Sequence, residues 1–241
     1  MASHILLNAG TGVLAAGVLF HAGPAALAAS PAGHLVAVHK RLRDRTHVAL
    51  TFDDGPQPDS LEQFLQVLET ERAPATFFVV GERAASNPDL VKHLRDAGHT
   101  VANHGFAHRN HLFHGPRSIA ADIEHGAATI AGITRERPTL YRPPYGIVAG
   151  ATRVAAWRAH QRVVLWSRWG RDWRVRATSH SIATDATNGL RGGDIVLLHD
   201  ADYYGSPVSW RNTLAALPRI IEHIRALGLE PVRIEGPDAL A

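Results

Sequence analysis

Residues 50 to 56 read L-T-F-D-D-G-P, and residues 103 to 108 read N-H-G-F-A-H. Adjacent ionised carboxylates repel each other, so Asp53 and Asp54 side by side after an apolar stretch need a chemical reason. His104 and His108 are four residues apart, and one helical turn or a tight loop can bring both imidazoles to a single metal ion. Two imidazoles and one carboxylate leave positions open for water and substrate, the pattern of a catalytic metal site and not a structural one. Alone, a His pair at this spacing is more often a surface or capping feature. Joined to an Asp pair it reads as a site, in which one Asp binds the metal and its neighbour takes a proton from water.

Other chemically capable residues recur at equivalent places. Short apolar runs at 47–52, 75–80, 99–103, 139–142, 162–166, 194–199 and 230–234 are rich in Val, Leu and Phe, and mostly apolar on both faces. Buried parallel strands have that composition. Asp53-Asp54 follow the first run, His104 the third, Arg142 the fourth and Asp172 the fifth, while His199-Asp200 end the sixth. In a parallel α/β barrel the C-terminal strand ends share one face, where catalytic residues gather. Chance could place one or two such residues there. Five make a site.

The elements that must position them alternate with helical patterns. Leu61, Phe64, Leu65 and Leu68 follow i, i+3, i+4, i+7, with Asp59 or Ser60 available as a cap. Asn87-Pro88-Asp89 opens a second helix that Gly98 closes, and further helices fit 118–131, 150–160, 179–190 and 212–227, the last ending at Gly228. Their apolar stripes are core. Strands alternating with helices predict an α/β fold around a parallel sheet, open or closed into a barrel.

A chain of 241 residues, 45% hydrophobic, can bury one substantial core. The reading divides it into a hydrophobic N-terminal segment (1–30), a basic linker (31–45) and one catalytic domain (46–241). A net charge of +3, with no Lys/Arg stripe interleaved with aromatics, argues against a nucleic-acid partner. Cysteine is absent, which excludes disulfides and thiolate metal sites. Residues 5–29 carry no charge and end in A-L-A-A, which a signal peptidase could cut. Export by a signal peptide or signal anchor is therefore expected, with a secreted or membrane-anchored location. Read instead as an anchor followed by the basic HKRLRDR (39–45), the same run would leave the C-terminal side in the cytoplasm, although His21 and Pro24 fit a spanning helix poorly. HKRLRDR itself reads as a solvated linker. A monomer is expected.

Taken in order, T-F-D-D-G-P, H-x-x-x-H, R-P-P-Y, R-D-W and L-L-H resemble the five motifs of the polysaccharide deacetylases, the carbohydrate esterase family 4 or nodulation-deacetylase homology domain. The resemblance covers roughly residues 46–235. It implies a distorted (β/α)7–8 TIM-like barrel of mainly parallel strands and a divalent metal, zinc being the expected ion and cobalt an alternative. The implied reaction removes acetyl groups from an acetylated glycan, such as one containing N-acetylglucosamine. By the same resemblance Asp53 is the general base, and Asp54, His104 and His108 are the metal ligands. Arg142 would hold Asp53 through a bidentate pair, and the backbone N–H of Tyr145 would stabilise the oxyanion. His199 would be the general acid, with Asp172 raising its pKa. Trp173 and Leu197 would wall the pocket for the acetyl methyl group.

Two positions depart from the family pattern: Gly105 stands where Ser or Thr is usual, and Trp169 replaces the first Asp of the fourth motif. Tyr203, Tyr204 and Trp210 either stack on sugar rings or pack. Asp200 and Asp202 either cap a turn or touch substrate, and His111 and His114 could line the cleft. A hydrolase of the same mechanism acting on a small amide or ester is the alternative function. A non-catalytic carbohydrate binder is a third, and the intact base, ligands and acid argue against it.

Overall fold

A computed structural model describes residues 38–241 and, ahead of them, 21 and 23–26. The signal or anchor segment expected at 1–30 therefore lies almost wholly outside the described residues. Among them, no helix is long and apolar enough to cross a membrane.

Strands β1 (His47–Asp53), β2 (Thr76–Val79), β3 (Thr100–Asn103), β4 (Leu140–Tyr141), β5 (Arg162–Val163), β6 (Arg168–Trp169), β7 (Ile195–His199) and β8 (Glu230–Val232) form one sheet. Its order is β5-β4-β3-β2-β1-β7-β6, with β8 beside the start of β1, and the strand pairs are parallel. Helices α1 (Leu61–Thr70), α2 (Gly81–Ser86), α3 (Pro88–Asp96), α4 (Pro116–Thr134), α5 (Gly150–Arg158), α6 (Ser179–Thr187) and α7 (Ser209–Ala226) fill the connections. This is the expected α/β fold, a parallel sheet curled into a distorted barrel.

Strand alternation decides what faces inward. Val48, Leu50 and Phe52 of β1, with Val196 and Leu198 of β7, pack outward on Leu61, Phe64 and Leu68 of α1 and on Leu217, Ile220 and Ile221 of α7. The other parity is the barrel interior, where Ala49, Phe78, Ala102, Leu140, Val164 and Ile195 meet. Since successive side chains point to opposite faces, the inward row of β1 runs Ala49, Thr51, Asp53, and that of β7 runs Ile195, Leu197, His199. Continued past the ends of β3 and β4, the same parity turns His104 and Arg142 inward. Asp53 pairs in register with His199. Each inward row is apolar at its base and polar at its C-terminal end.

Some local expectations are revised. Ser60 occupies the N-cap of α1 without a side-chain cap, because its hydroxyl donates to the Asp200 carbonyl at 2.5 Å. Strands β4 and β5 are shorter than their apolar runs, and β6 and α2 were not expected. Val164 N–H still donates to the Tyr141 carbonyl of β4, but beyond it Leu165 N–H donates to the carbonyl of His39. That contact also changes the reading of HKRLRDR. From Val38 the stretch is seated on the sheet, with Val38 and Leu42 buried, His39 bridging Val164, and Arg41 2.8 Å from the buried Asp194.

Candidate active site

At the top of the barrel Asp53, Asp54, His104, His108, Tyr145, Trp173, Leu197 and His199 line one cavity of about 280 Å³. Arg142 and Asp172 lie buried behind it. All ten residues singled out in the sequence thus belong to one constellation.

One oxygen, nitrogen or nitrogen from each of Asp54, His104 and His108 lies within 4.8 Å of the others. Asp54 Oδ1 is buried without a hydrogen-bond partner, 3.4 Å from His104 Nε2 and 3.2 Å from His108 Nε2. His104 Nδ1 lies 2.7 Å from the Arg142 carbonyl oxygen. A carbonyl only accepts, so Nδ1 carries a proton, and Nε2 is the nitrogen left to face a metal. Burial lowers the pKa of His108 and favours its neutral form. Two imidazole Nε2 atoms and a carboxylate oxygen turned on one point fit a divalent cation. His108 Nδ1 has no hydrogen-bond partner. Its ring is held by stacking on Tyr204 at 3.8 Å and against the edge of Tyr145 at 4.5 Å.

Asp53 is fixed from below. Arg142 Nη1 donates to its Oδ1 at 2.7 Å and to Thr51 Oγ1 at 2.9 Å. The expected bidentate pair does not form, because Nε and Nη2 donate to the carbonyls of Val164 and Leu165. One guanidinium thus ties the base to the chain just beyond β5, while stacking over Phe78 at 4.0 Å. Removing one partner of a buried ion pair costs about 3–5 kcal/mol. Arg142→Met should lower the unfolding free energy in urea by that order, and a loss under about 1 kcal/mol would show that the pair is not what holds this end of the barrel.

His199 meets Asp172 twice: Nδ1 lies 2.8 Å from Oδ1, and its backbone N–H donates to Oδ2 at 2.8 Å. Thr213 Oγ1 also donates to Oδ2, at 2.8 Å. Burial works to lower the imidazole pKa, but the charge and hydrogen bond of Asp172, helped by Asp54 and Asp53, raise it to about 10. The imidazolium is thus the form at neutral pH. Its Nε2, 3.8 Å from Asp54 Oδ2, is the proton it can offer to the cavity.

Trp166, Trp169 and Trp173 form a continuous wall, with ring centres 5.9 and 5.3 Å apart, and Trp173 meets His199 edge-on at 5.6 Å. The unusual Trp169 therefore lines the site, and Trp166 joins it although sequence reading passed over it. Tyr145 has a left-handed backbone (φ 59°) and is 57% exposed, a conformation that functional turns tolerate. Tyr204 lines the cavity, whereas Tyr203 lies under the Arg83 guanidinium at 3.8 Å and Trp210 is in the core.

Asp200 is buried, and burial with the nearby Asp54 charge raises its pKa to about 8, so it is neutral at pH 7. A side chain on Gly55 would collide with it, which accounts for the glycine after the Asp pair. Asp202 accepts Val208 N–H at 2.5 Å and shapes its own loop. His111 does not line the cleft: it is buried between Thr152 and Tyr141. Asp122 was missed, though an acid within the apolar stripe Ile119, Ile123, Ile130 of α4 is a readable signal.

Comparison with known proteins gives the same picture. Residues 40–164 match the family model described as polysaccharide deacetylase. A peptidoglycan-N-acetylglucosamine deacetylase of Bacillus cereus is 37% identical over 192 residues, 78% of this chain and 85% of that one. A chitooligosaccharide deacetylase of Sinorhizobium fredii is 34% identical over 187 residues, 75% of this chain and 86% of that one. The solved family 4 carbohydrate esterase from Streptomyces lividans, in complex with acetate, superposes with a TM-score of 0.72 at 32% identity, covering 83% of this chain and 97% of that one.

Proposed function

The chain belongs to the polysaccharide deacetylase family and is a carbohydrate deacetylase; on that premise we propose that it hydrolyses the N-acetyl groups of N-acetylglucosamine in a glycan, with a divalent metal, zinc by preference. The observation that carries this reading is the convergence of Asp54, His104 and His108 within 4.8 Å, beside the two charged pairs Asp53–Arg142 and Asp172–His199.

Asp54, His104 and His108 would hold the ion. When bound it would supply Lewis acidity to the acetyl carbonyl and favour ionisation of water. The chain's own residues do the rest. Asp53, anchored through Oδ1, takes the proton from the attacking water on its free Oδ2. The backbone N–H of Tyr145 faces the developing oxyanion. Trp173 and Leu197 enclose the acetyl methyl group. His199, kept protonated by Asp172, gives its proton to the sugar nitrogen as the C–N bond breaks, so the amine leaves neutral and acetic acid remains, which ionises to acetate in water.

The two relatives named above act on peptidoglycan N-acetylglucosamine and on chitooligosaccharide, and the aromatic wall suits the apolar faces of a sugar. The uncharged run at residues 5–29 supports a secreted or membrane-attached setting, where such polymers lie. Acetate release measured side by side from chitooligosaccharide, peptidoglycan, acetylated xylan and a small N-acetyl amide tests the substrate class. At least about tenfold faster release from the N-acetylglucosamine polymers is expected, since binding energy from remote sugar units can serve the chemical step. Turnover of the small amide alone would assign the chain to small substrates instead.

A further inference from the structure

The segment between the two histidine ligands is held from both sides. Its carbonyls at Gly105 and Phe106 accept the backbone N–H groups of Gly81 and Glu82 at 2.8 and 2.9 Å. Its amides face α4, where Asp122 takes two in succession: Oδ2 accepts Phe106 N–H at 3.1 Å, and Oδ1 accepts Ala107 N–H at 3.0 Å. The Asp122 carbonyl shares the Phe106 N–H at 3.1 Å, and Asn103 Oδ1 accepts Gly105 N–H at 3.0 Å. Asp122 is only 6% exposed, set among Ile119 and Ile123, with the half-exposed Arg109 3.8 Å away. Gly105 makes room for this arrangement. It has φ +82°, and a Cβ there would stand 2.6 Å from Asp122 Oδ2.

We propose that Asp122 is a positioning residue that fixes the spacing between His104 and His108 by holding consecutive amides of the loop that joins them. The glycine where the family usually has Ser or Thr is then the space that the carboxylate occupies. A carboxylate accepting two adjacent N–H groups determines the direction of both peptide planes, and so where the next ligand points. The need is greatest at His108, whose Nδ1 has no hydrogen-bond partner and whose orientation depends on the loop and on two tyrosine rings. Outer contacts of this kind are typically worth 10–100-fold in metal affinity.

The inference rests on the metal reading above, and one titration separates the two. Metal-free wild type, His104→Ala, Asp122→Asn and Asp122→Ala are titrated with Zn²⁺ against a chelating dye, and the unfolding midpoint of each metal-free form is recorded in urea. Wild type should bind one ion per chain and His104→Ala should lose it. Asp122→Ala should bind about 10–100-fold more weakly, and Asp122→Asn, which keeps one acceptor oxygen, should fall between. Asp122→Asn carries the test if the alanine variant fails to fold. Wild type that binds no zinc contradicts the metal reading itself. Wild-type binding with unchanged affinity in the Asp122 variants, whatever their loss of stability, overturns the positioning role alone.

Discussion

Asp53→Asn should keep its metal and still fold, at a cost in stability because the buried Arg142 loses its counter-charge, and should lose roughly 10²–10⁴ in the rate of acetate release, the usual worth of a positioned general base. The amide retains an oxygen for Arg142 Nη1, and the guanidinium keeps its bonds to Thr51, Val164 and Leu165. What disappears is the basic Oδ2, which faces the cavity 3.7 Å from His104 Nε2. Asp54→Asn is the necessary comparison. It alters the carboxylate whose Oδ1 stands between the two imidazoles, so it should weaken metal binding first and rate only in consequence. Metal content and turnover measured on the same samples decide the matter. Identical metal content in the two variants would end the division of labour between the neighbouring carboxylates.

The second large effect belongs to His199. Amide cleavage must expel an amine, a poor leaving group unless it is protonated as the bond breaks, whereas an aryl acetate leaves as a stabilised phenolate. His199→Ala should therefore lose about 10²–10⁴ on an N-acetylated oligosaccharide and far less on an aryl acetate. Equal fractional losses on both substrates would mean that the histidine organises the site and donates no proton. Asp172→Asn sharpens the test through pH. Asp172 is the main contributor raising the imidazole to about 10, and activity that needs the imidazolium is lost as pH rises through that value. With the neutral amide in its place, the alkaline limb of the pH–rate profile should move to lower pH. Thr213 and the His199 N–H still bind the Asn side-chain oxygen, which turns its NH2 toward Nδ1, a partner that only a neutral imidazole can accept from.

The site was legible because its residues are local to strand ends. Asp53, His104, Arg142 and His199 each continue the inward parity of a strand, and period-two alternation is visible in a sequence. The helices were legible for a related reason: α1, α3 and α7 bury continuous stripes such as Leu61, Phe64, Leu65, Leu68. What sequence could not supply depends on partners far along the chain. Strands β5 and β6 are two residues each: past β5 the chain turns to the backbone of His39, and β6 exists through its pairing with β7. The charges of HKRLRDR suggested a solvated linker, but Arg41 finds the buried Asp194, and Val38 and Leu42 find apolar neighbours. The bidentate pair failed because two carbonyls beyond β5 claim the rest of the guanidinium. Ser60, a good cap by type, was drawn away by a carbonyl 140 residues later.

Removal and return of the metal tests the central claim most directly. The purified chain would be stripped with a chelator, dialysed, and assayed for acetate release from N-acetylated chitooligosaccharide as Zn²⁺ or Co²⁺ is added in substoichiometric steps. The constellation of Asp54, His104 and His108 offers one ion site. Activity should fall to background in the stripped protein and recover linearly to a break at one ion per chain, with no recovery in His104→Ala. Stripped protein that keeps its full rate would contradict the account.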